Sequence, residues 1–321
     1  MTPGSRNILR QATLLLSKSC CLMPETMGRA VASATGHAFW QLWVPERRRL
    51  INIIDRVYHR LGRTPPAPVP VIVRRNFIHF ALAIYEFLRS PLLSARDLSQ
   101  RFEFVNEQNL TLAQQEGRGV IFALPHIGNW EIFGAAIAHA GYPVNSFFLS
   151  QKEDELGRLL DNLRSYSGIK LHERDRGAIK ALRALKNGEQ LGMIADQDGG
   201  NNGVYLDFLG HWVSMPSGPA AWSLKTGAVL MPIYSLRQGM SANYRGYFMP
   251  PMTDEKPGTY EEQVVTRTRR LTDWMQELIL RYPDQYLWFY DRFKPRHESW
   301  VTTQKKIFGQ VRHGEERYGQ R

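Results

Sequence analysis

A histidine and a glutamate lie five residues apart where an apolar, strand-like run meets a helix-like one. The run GVIFALP directly precedes His126, and Glu131 belongs to WEIFGAAIAHAG, which follows the N-cap candidate Asn129. Ligands of open α/β sheets bind at the carboxyl ends of strands. A histidine there can accept a proton from a hydroxyl, and a carboxylate on its second ring nitrogen fixes the tautomer. The pair predicts a general base, although a surface histidine beside a helix-dipole carboxylate has the same spacing.

The segments around this corner alternate between short apolar strands and longer helices. Such alternation favours parallel βαβ units, and hence an α/β sandwich with a mostly parallel central sheet flanked by helices. The segment GGNNGVYLDFLGHW is expected to be irregular. The predicted strands are GVIFALP, PVNSFFL, QLGMIAD, VLMPIYSLR and YRGYFMPPM, and the predicted helices after the corner are EDELGRLLDNLRSYSG, RGAIKALRALKNG, SGPAAWSLKTG and TYEEQVVTRTRRLTDWMQELILRYP.

Residues 1–63 are predicted to form N-terminal helices in which basic positions interrupt apolar ones. Trp40 and Trp43 precede three consecutive arginines at 47–49. This combination is typical of an amphipathic helix that lies in a membrane interface. It also suits a helix that packs on its own domain and exposes its arginines to solvent, so both interpretations stay open.

Proline marks the boundary between these helices and the rest of the chain. Thr64–Val71 (TPPAPVPV) predicts a stiff, extended connector, and a helix is expected over residues 72–98. Residues 72–297 are predicted to form the α/β domain, and residues 298–321 a basic tail.

Composition indicates a globular protein with an anionic partner. The 321 residues are 43% hydrophobic and carry 41 Lys and Arg against 30 Asp and Glu, a net charge of +11. That surplus favours an anionic lipid, an acidic carrier protein or nucleic acid, but no aromatic-basic RNA motif or helix-turn-helix pattern supports nucleic acid. No run approaches the ~20 apolar residues of a membrane span. The adjacent Cys20 and Cys21 suit a reducing compartment better than a disulfide.

Four blocks of the sequence resemble, in order, the bacterial lipid A late acyltransferases. This lauroyl/myristoyl transferase group belongs to the lysophospholipid acyltransferase superfamily, whose signature is H-x4-D/E. The likeness covers roughly residues 45–297. The blocks are HIGNWE, matching H-x-x-N-W-E; ERDRGAIKALRALKNGEQLGMIADQDGG; DFLGHWVSMPSGPAAWSLKTGAVLMPIY; and PDQYLWFYDRFKPR.

The resemblance implies an acyltransferase-type α/β domain that moves a fatty acyl chain from a thioester donor to a hydroxyl of a membrane lipid, such as a lipid A precursor or a related glycolipid. His126 would be the general base and Glu131 its partner, without an acyl-enzyme. The donor would be acyl carrier protein or coenzyme A as a thioester, and no cofactor is expected. The enzyme would lie on the cytoplasmic face of the bacterial inner membrane, as a peripheral or monotopic protein. One departure is Asp291, which replaces a basic residue of the family's W-x-H-R-R-F-K ending.

Several groups are candidates to bind the developing oxyanion or the substrates. They are the backbone amides of the ADQDGG turn, the side chains of Arg174 and Arg176, and the helix N-terminus at Ser217 and Gly218. A plain helix cap or solvated charges would have the same sequence. Lys225 and Arg292 are weaker candidates and are expected to be surface charges.

Asp196, Gln197 and Asp198 follow a predicted strand and are expected to bind the acceptor or to support His126. Two alternatives to the transferase remain from the sequence. Asp196, Asp198 and His126 suit a metal-dependent phosphohydrolase, although no metal is expected in the family. The basic surface alone suits a non-catalytic protein that binds anionic membranes.

Overall fold

A computed structural model describes residues 15–148, 163–164, 166–173, 177–252 and 258–293. Most of the predicted helix EDELGRLLDNLRSYSG, the tail at 298–321 and the candidates Arg174 and Arg176 lie outside these residues. Three gaps, at 149–162, 165 and 174–176, therefore lie between residues 148 and 177.

The centre of the fold is a seven-stranded sheet. The strands of the described residues are β1 Phe102–Val105, β2 Val120–Leu124, β3 Val144–Phe148, β4 Lys170–Glu173, β5 Gln190–Ile194, β6 Val204–Phe208, β7 His211–Met215, β8 Val229–Arg237 and β9 Tyr244–Phe248. The order in the sheet is β1-β9-β8-β2-β5-β3-β4. Every neighbouring pair is parallel except β8 and β9. The prediction of a mostly parallel central sheet is confirmed.

Helices cover both faces of this sheet, as the alternation along β2 demonstrates. Ile121 and Ala123 belong to one hydrophobic cluster, whereas Val120, Phe122 and Leu124 belong to the other. A strand that is buried on both faces explains why GVIFALP is apolar without alternation. The helices are α1 Glu25–Leu42, α2 Val44–Arg60, α3 Val69–Leu88, α4 Ala95–Arg101, α5 Gln108–Gln115, α6 Trp130–His139, α7 Ala178–Lys186, α8 Gly218–Thr226 and α9 Tyr260–Arg281.

Two predicted boundaries were wrong. Helix α3 begins at Val69, inside the expected proline connector, with Pro68 at the N-cap and a proline in the first turn. A proline near a helix start costs no hydrogen bond because those N–H groups have no intrahelical acceptor. The helix expected over 72–98 ends at Leu88, and α4 starts separately with a Ser94–Asp97 capping box.

The segment expected to be irregular forms a hairpin. Strands β6 and β7 pair antiparallel, with Phe208 opposite His211. The two turn residues Leu209 and Gly210 have φ of 56° and 75°, the backbone that tight hairpins require. Leucine rarely adopts positive φ, so the usual Asn-Gly signal of such a turn is missing from the sequence.

Helix α1 buries its small residues and exposes its large apolar ones. Gly28, Ala32 and Gly36 are buried, and a Cβ at Gly36 would lie 2.7 Å from backbone atoms of α3. The exposed face carries Met27, Val31, Phe39 and Leu42. Among the described residues, no helix is long and apolar enough to span a membrane.

Candidate active site

His126 and Asp196 occupy equivalent positions on neighbouring parallel strands. Leu124, the last residue of β2, is in register with Ile194, the last residue of β5. The ladder continues for one residue, because the Ala195 N–H donates to the Leu124 carbonyl at 2.9 Å. Each functional side chain then comes two residues after its strand. The sheet register therefore places the imidazole and the carboxylate side by side at the carboxyl edge.

The Asp196 carboxylate binds both the ring and the backbone of His126. Its Oδ1 lies 2.7 Å from His126 Nδ1, and its Oδ2 accepts from the His126 backbone N–H at 3.0 Å. Both residues are buried, and the edge-on ring of Trp130 lies 4.7 Å from the imidazole centroid. Because an ionised carboxylate only accepts, Nδ1 carries the proton and Nε2 of the neutral ring has a free lone pair.

The surroundings keep Asp196 ionised. Burial by itself would raise the pKa of this carboxyl, but the charge that His126 carries when protonated, the hydrogen bonds from its ring and backbone, and the charge of Arg292 together lower the pKa to about 2. A buried carboxylate that remains charged can stabilise the imidazolium that forms when Nε2 accepts a proton.

Glu131 has a different partner. Its two carboxylate oxygens accept from Arg164, with Nη2 at 2.6 Å from Oε1 and Nε at 3.0 Å from Oε2. The carboxylate that holds His126 Nδ1 is therefore Asp196, where the spacing along the chain had favoured Glu131. Sequence spacing shows only neighbours along the chain, whereas the pairing is set by the register of β5 beside β2. A role for Glu131 in the reaction stays a prediction.

The remaining predicted residues have varied positions. Gln197 and Asp198 are exposed, and Asp198 Oδ1 accepts from the Gly200 N–H at 3.0 Å. Ser217 donates its hydroxyl to the Asn202 carbonyl at 2.7 Å. Its neighbour Gly218 begins α8 against the Met193 side chain of β5, so this helix start lies near the strand that carries Asp196.

Sequence reasoning missed the part of the C-terminal segment that covers the pair. The Leu287 N–H donates to the His126 carbonyl at 2.9 Å. Tyr286 and Arg292 are both buried, and Arg292 Nη1 donates to the Tyr286 hydroxyl at 3.4 Å. Burial, followed by the charge of Asp196, raises the pKa of Tyr286, which keeps its hydroxyl neutral. The expectation that Arg292 is a surface charge was wrong, because its guanidinium packs over the Phe208 ring.

A buried polar network supports the loop between His126 and α6. Asn129 caps α6 by accepting from the Ile132 N–H and donates its side-chain amide to Glu86 at 2.9 Å. Glu86 also accepts two bonds from Arg237, at 2.5 and 2.9 Å. Arg29 of α1 donates to the same carboxylate at 2.5 Å. One carboxylate on α3 thus connects the N-terminal helix, the central sheet and the loop that carries His126.

Gly128 is required by its backbone. Its φ is +66°, and a Cβ there would lie 1.9 Å from the Ser235 carbonyl oxygen. Its own carbonyl oxygen lies 2.9 Å from His79 Nε2, and its N–H donates to Gln285. The loop therefore contacts Ser235, His79 and Gln285. Glycine is needed in the HIGN part of the block because of this close packing and the positive φ.

The geometry does not support the metal-dependent phosphohydrolase. Both Asp196 oxygens are bonded to His126, and Asp198 turns away to Gly200. No group of three or more His, Cys, Asp or Glu is placed to hold a metal ion within the described part of the chain.

These features define an α/β protein with a buried histidine–carboxylate pair that can act on a hydroxyl. The chain belongs to the bacterial lipid A biosynthesis acyltransferase family, whose model matches residues 9–295. It is an acyltransferase of the lipid A or glycolipid type.

Similar proteins occur in several bacteria. A phosphatidylinositol mannoside acyltransferase of Mycolicibacterium smegmatis is 28% identical over 269 residues, which cover 81% of this chain and 83% of that protein. A lipid A biosynthesis palmitoleoyltransferase of Escherichia coli is 26% identical over 232 residues, 70% and 72% of the two chains. A lipid A biosynthesis acyltransferase of Haemophilus influenzae is 21% identical over 229 residues, 71% and 70%.

Proposed function

We propose that this protein transfers a fatty acyl chain from a thioester donor to a hydroxyl of a membrane glycolipid, with His126 as the general base and Asp196 as the carboxylate that orients it. The observation that carries the proposal is the pair of bonds from Asp196 to the ring and the backbone of His126, at 2.7 and 3.0 Å. They fix the ring with Nε2 as the proton acceptor.

In the proposed reaction, the acyl carbon exchanges its bond to the donor's sulfur for a bond to the acceptor's oxygen. The acceptor hydroxyl oxygen attacks the thioester carbonyl carbon while His126 Nε2 takes the hydroxyl proton. The tetrahedral intermediate collapses, the carbon–sulfur bond breaks, and the imidazolium returns the proton to the departing thiolate. The acyl chain moves directly to the acceptor, which agrees with a site that provides a base and its orienting carboxylate.

Backbone N–H groups are the proposed donors to the oxyanion. The start of α8 at Ser217 and Gly218 packs on the strand that delivers Asp196. The first turn of a helix has N–H groups without intrahelical acceptors and a favourable dipole. The turn after Asp196 is the alternative source, and Arg174 and Arg176 remain candidates from sequence.

The proposed acceptor is a lipid presented at a membrane surface, on the cytoplasmic face of the inner membrane. Support comes from the outward apolar face of α1, where Phe39 is 53% and Leu42 is 80% exposed. A continuous exposed apolar face on one helix is typical of interfacial binding. The relatives support a glycolipid acceptor, since one is named for a phosphatidylinositol mannoside and others for lipid A. Acyl carrier protein or coenzyme A would supply the thioester.

The test is acyl transfer by the purified protein, followed by mass spectrometry of the lipid. The expected product is heavier than the acceptor by one acyl chain, and His126→Ala should abolish its formation. His139→Ala is the matched control, because His139 is exposed at the far end of α6. Full activity of His126→Ala, or equal losses in both variants, would remove the proposed base.

A further inference from the structure

A cleft of about 650 Å³ opens between α2, the turn of the β6–β7 hairpin and the C-terminal segment 286–293. Trp43, Phe289 and Phe293 form its aromatic walls. The ring of Phe293 packs against His211, with 4.2 Å between the centroids. The cleft therefore combines flat apolar surfaces with polar groups at their edges.

One face of α2 provides much of the polar lining. Arg49, Asn52 and Arg56 follow one another at helical spacing and all line the cleft. Arg49 is held in place, because Nε donates to Glu46 at 2.9 Å and Nη2 to the Phe289 carbonyl at 3.3 Å. Asn52 and Arg56 are exposed, and neither has a hydrogen-bond or ion-pair partner within the described residues. Their donors and acceptors are available to a ligand.

The charges of the lining are mixed. Arg49 and Arg56 are matched by Glu46 and Asp291. The two carboxylates would repel a phosphate and so lower the affinity of this cleft for it. A sugar ring suits this set better, because its hydroxyls both donate and accept and its C–H faces pack on aromatic rings. Asp291 contributes a carboxylate to the cleft lining next to the guanidinium groups of Arg49 and Arg56.

The cleft is connected to the catalytic pair through the C-terminal segment. Phe289 packs on Phe80 at 5.3 Å, Phe80 on Trp130 at 6.2 Å, and Trp130 on His126 at 4.7 Å between centroids. Two residues before Phe289, Leu287 is hydrogen-bonded to the His126 carbonyl. A continuous chain of packed aromatic rings thus connects the cleft to the imidazole.

The cleft adjoins the C-terminal end of α1, because Trp43 is the C-cap of that helix and lines the cleft. Trp43 lines the cleft, is 48% exposed, and directly follows the exposed Leu42. A lipid whose chains contact this surface would place its headgroup at the cleft, with the aromatic ring at the boundary where tryptophan is favoured. The exposed apolar face of α1 and the polar cleft therefore fit one amphipathic ligand.

We propose that this cleft binds a sugar ring of the acceptor's headgroup, other than the ring that carries the reacting hydroxyl. The inference rests on the proposed acyl transfer to a glycolipid and extends it by assigning a second headgroup subsite. Because the cleft lies apart from the reacting atoms, we expect it to bind the ground state and the transition state equally, which lowers KM and leaves kcat unchanged.

The first experiment measures sugar binding without catalysis. Methyl α-D-mannopyranoside is titrated into the full chain, and binding is followed by saturation-transfer NMR. Asn52→Ala and Arg56→Ala should each weaken binding about 5- to 10-fold, the loss of one or two hydrogen bonds. Arg48→Ala is the matched control, because Arg48 is an exposed arginine of α2 outside the cleft. It should bind as the unsubstituted protein does.

The second experiment measures acyl transfer to a mannosylated phosphatidylinositol in phosphatidylcholine vesicles. Arg56→Ala should raise KM for this acceptor about 5- to 10-fold at unchanged kcat. Circular dichroism checks that each variant is folded.

Three results would overturn the cleft assignment: no sugar binding by the unsubstituted protein, equal sugar affinity in all variants, or inorganic phosphate bound in place of the sugar. A protein that loses sugar binding with Arg56→Ala but transfers no acyl chain would instead refute the proposed reaction and keep the cleft. His126→Ala should bind the sugar normally while turnover is lost.

Discussion

Replacing Asp196 by asparagine removes the negative charge of the orienting group and one of its two acceptor oxygens. The side chain keeps its shape and its one oxygen can still accept from His126, but its amide nitrogen then faces the second N–H of His126. The imidazolium that forms during proton transfer then has no negative charge beside it. The Nδ1–Oδ1 distance is 2.7 Å, so the two charge centres are roughly 4 Å apart, and at an effective dielectric constant of 20 their interaction is about 4 kcal/mol. The asparagine variant should therefore lose about 10³-fold in kcat.

Single-turnover transfer from an acyl thioester measures this loss without interference from product release. KM for donor and acceptor should change little, because the carboxylate contacts the base and not the substrates. Glu131→Gln is the matched comparison, since it removes the other carboxylate near the corner and its ion pair with Arg164. A loss below tenfold for Asp196→Asn would refute the argument. If Glu131→Gln lost 10³-fold while Asp196→Asn did not, Glu131 would be the orienting carboxylate.

Three further predictions concern stability and membrane binding. Folding lowers the pKa of Asp196 from 3.8 to about 2. The ionised carboxylate should therefore stabilise the fold by about 2 kcal/mol above pH 4, and this stabilisation should disappear as the pH falls from 4 to 2. Denaturant unfolding of Asp196→Asn should lack this pH dependence. Glu86→Ala should cost about 3–5 kcal/mol in the same assay because it leaves Arg237 buried and unpaired, and a cost below 1 kcal/mol would contradict the role of the network. Leu42→Asp should weaken binding to phosphatidylglycerol vesicles without changing unfolding, and unchanged vesicle binding would show that the exposed face of α1 is not the contact surface.

Much of the fold follows from local patterns in the chain. GVIFALP and QLGMIAD are apolar and short because both strands are buried in the centre of the sheet. WEIFGAAIAHAG begins after the N-cap Asn129, as its sequence predicts. Such features depend on neighbours within a few residues and are therefore visible in the sequence.

Features that depend on long-range contacts were harder to predict. The β6–β7 turn uses Leu209 at positive φ, which only the surrounding packing can enforce. Helix α3 starts among prolines because they occupy its first turn, where composition alone suggested an extended connector.

The candidate site also combines a residue that the local sequence identifies with contacts that depend on distant parts of the chain. His126 was identifiable from its place after a strand, and Asp196 was expected either to bind the acceptor or to support the histidine. Their pairing is fixed by the register of β2 and β5, 70 positions apart in the chain. The chain spacing of His126 and Glu131 therefore favoured the wrong hydrogen-bond partner. The burial of Arg292 over the Phe208 ring was likewise not predictable, because an arginine is most often a surface residue.

Rapid-quench mass spectrometry of both the protein and the lipid tests the central claim most directly. An excess of enzyme is mixed with acyl thioester and acceptor, and the intact masses are followed through one turnover. Direct attack by a hydroxyl activated at His126 predicts that the lipid gains the acyl mass as the donor disappears, with no acylated protein at any time, and that His126→Ala produces neither change. An acylated protein that appears before the acylated lipid, or transfer that persists in His126→Ala, would contradict the account.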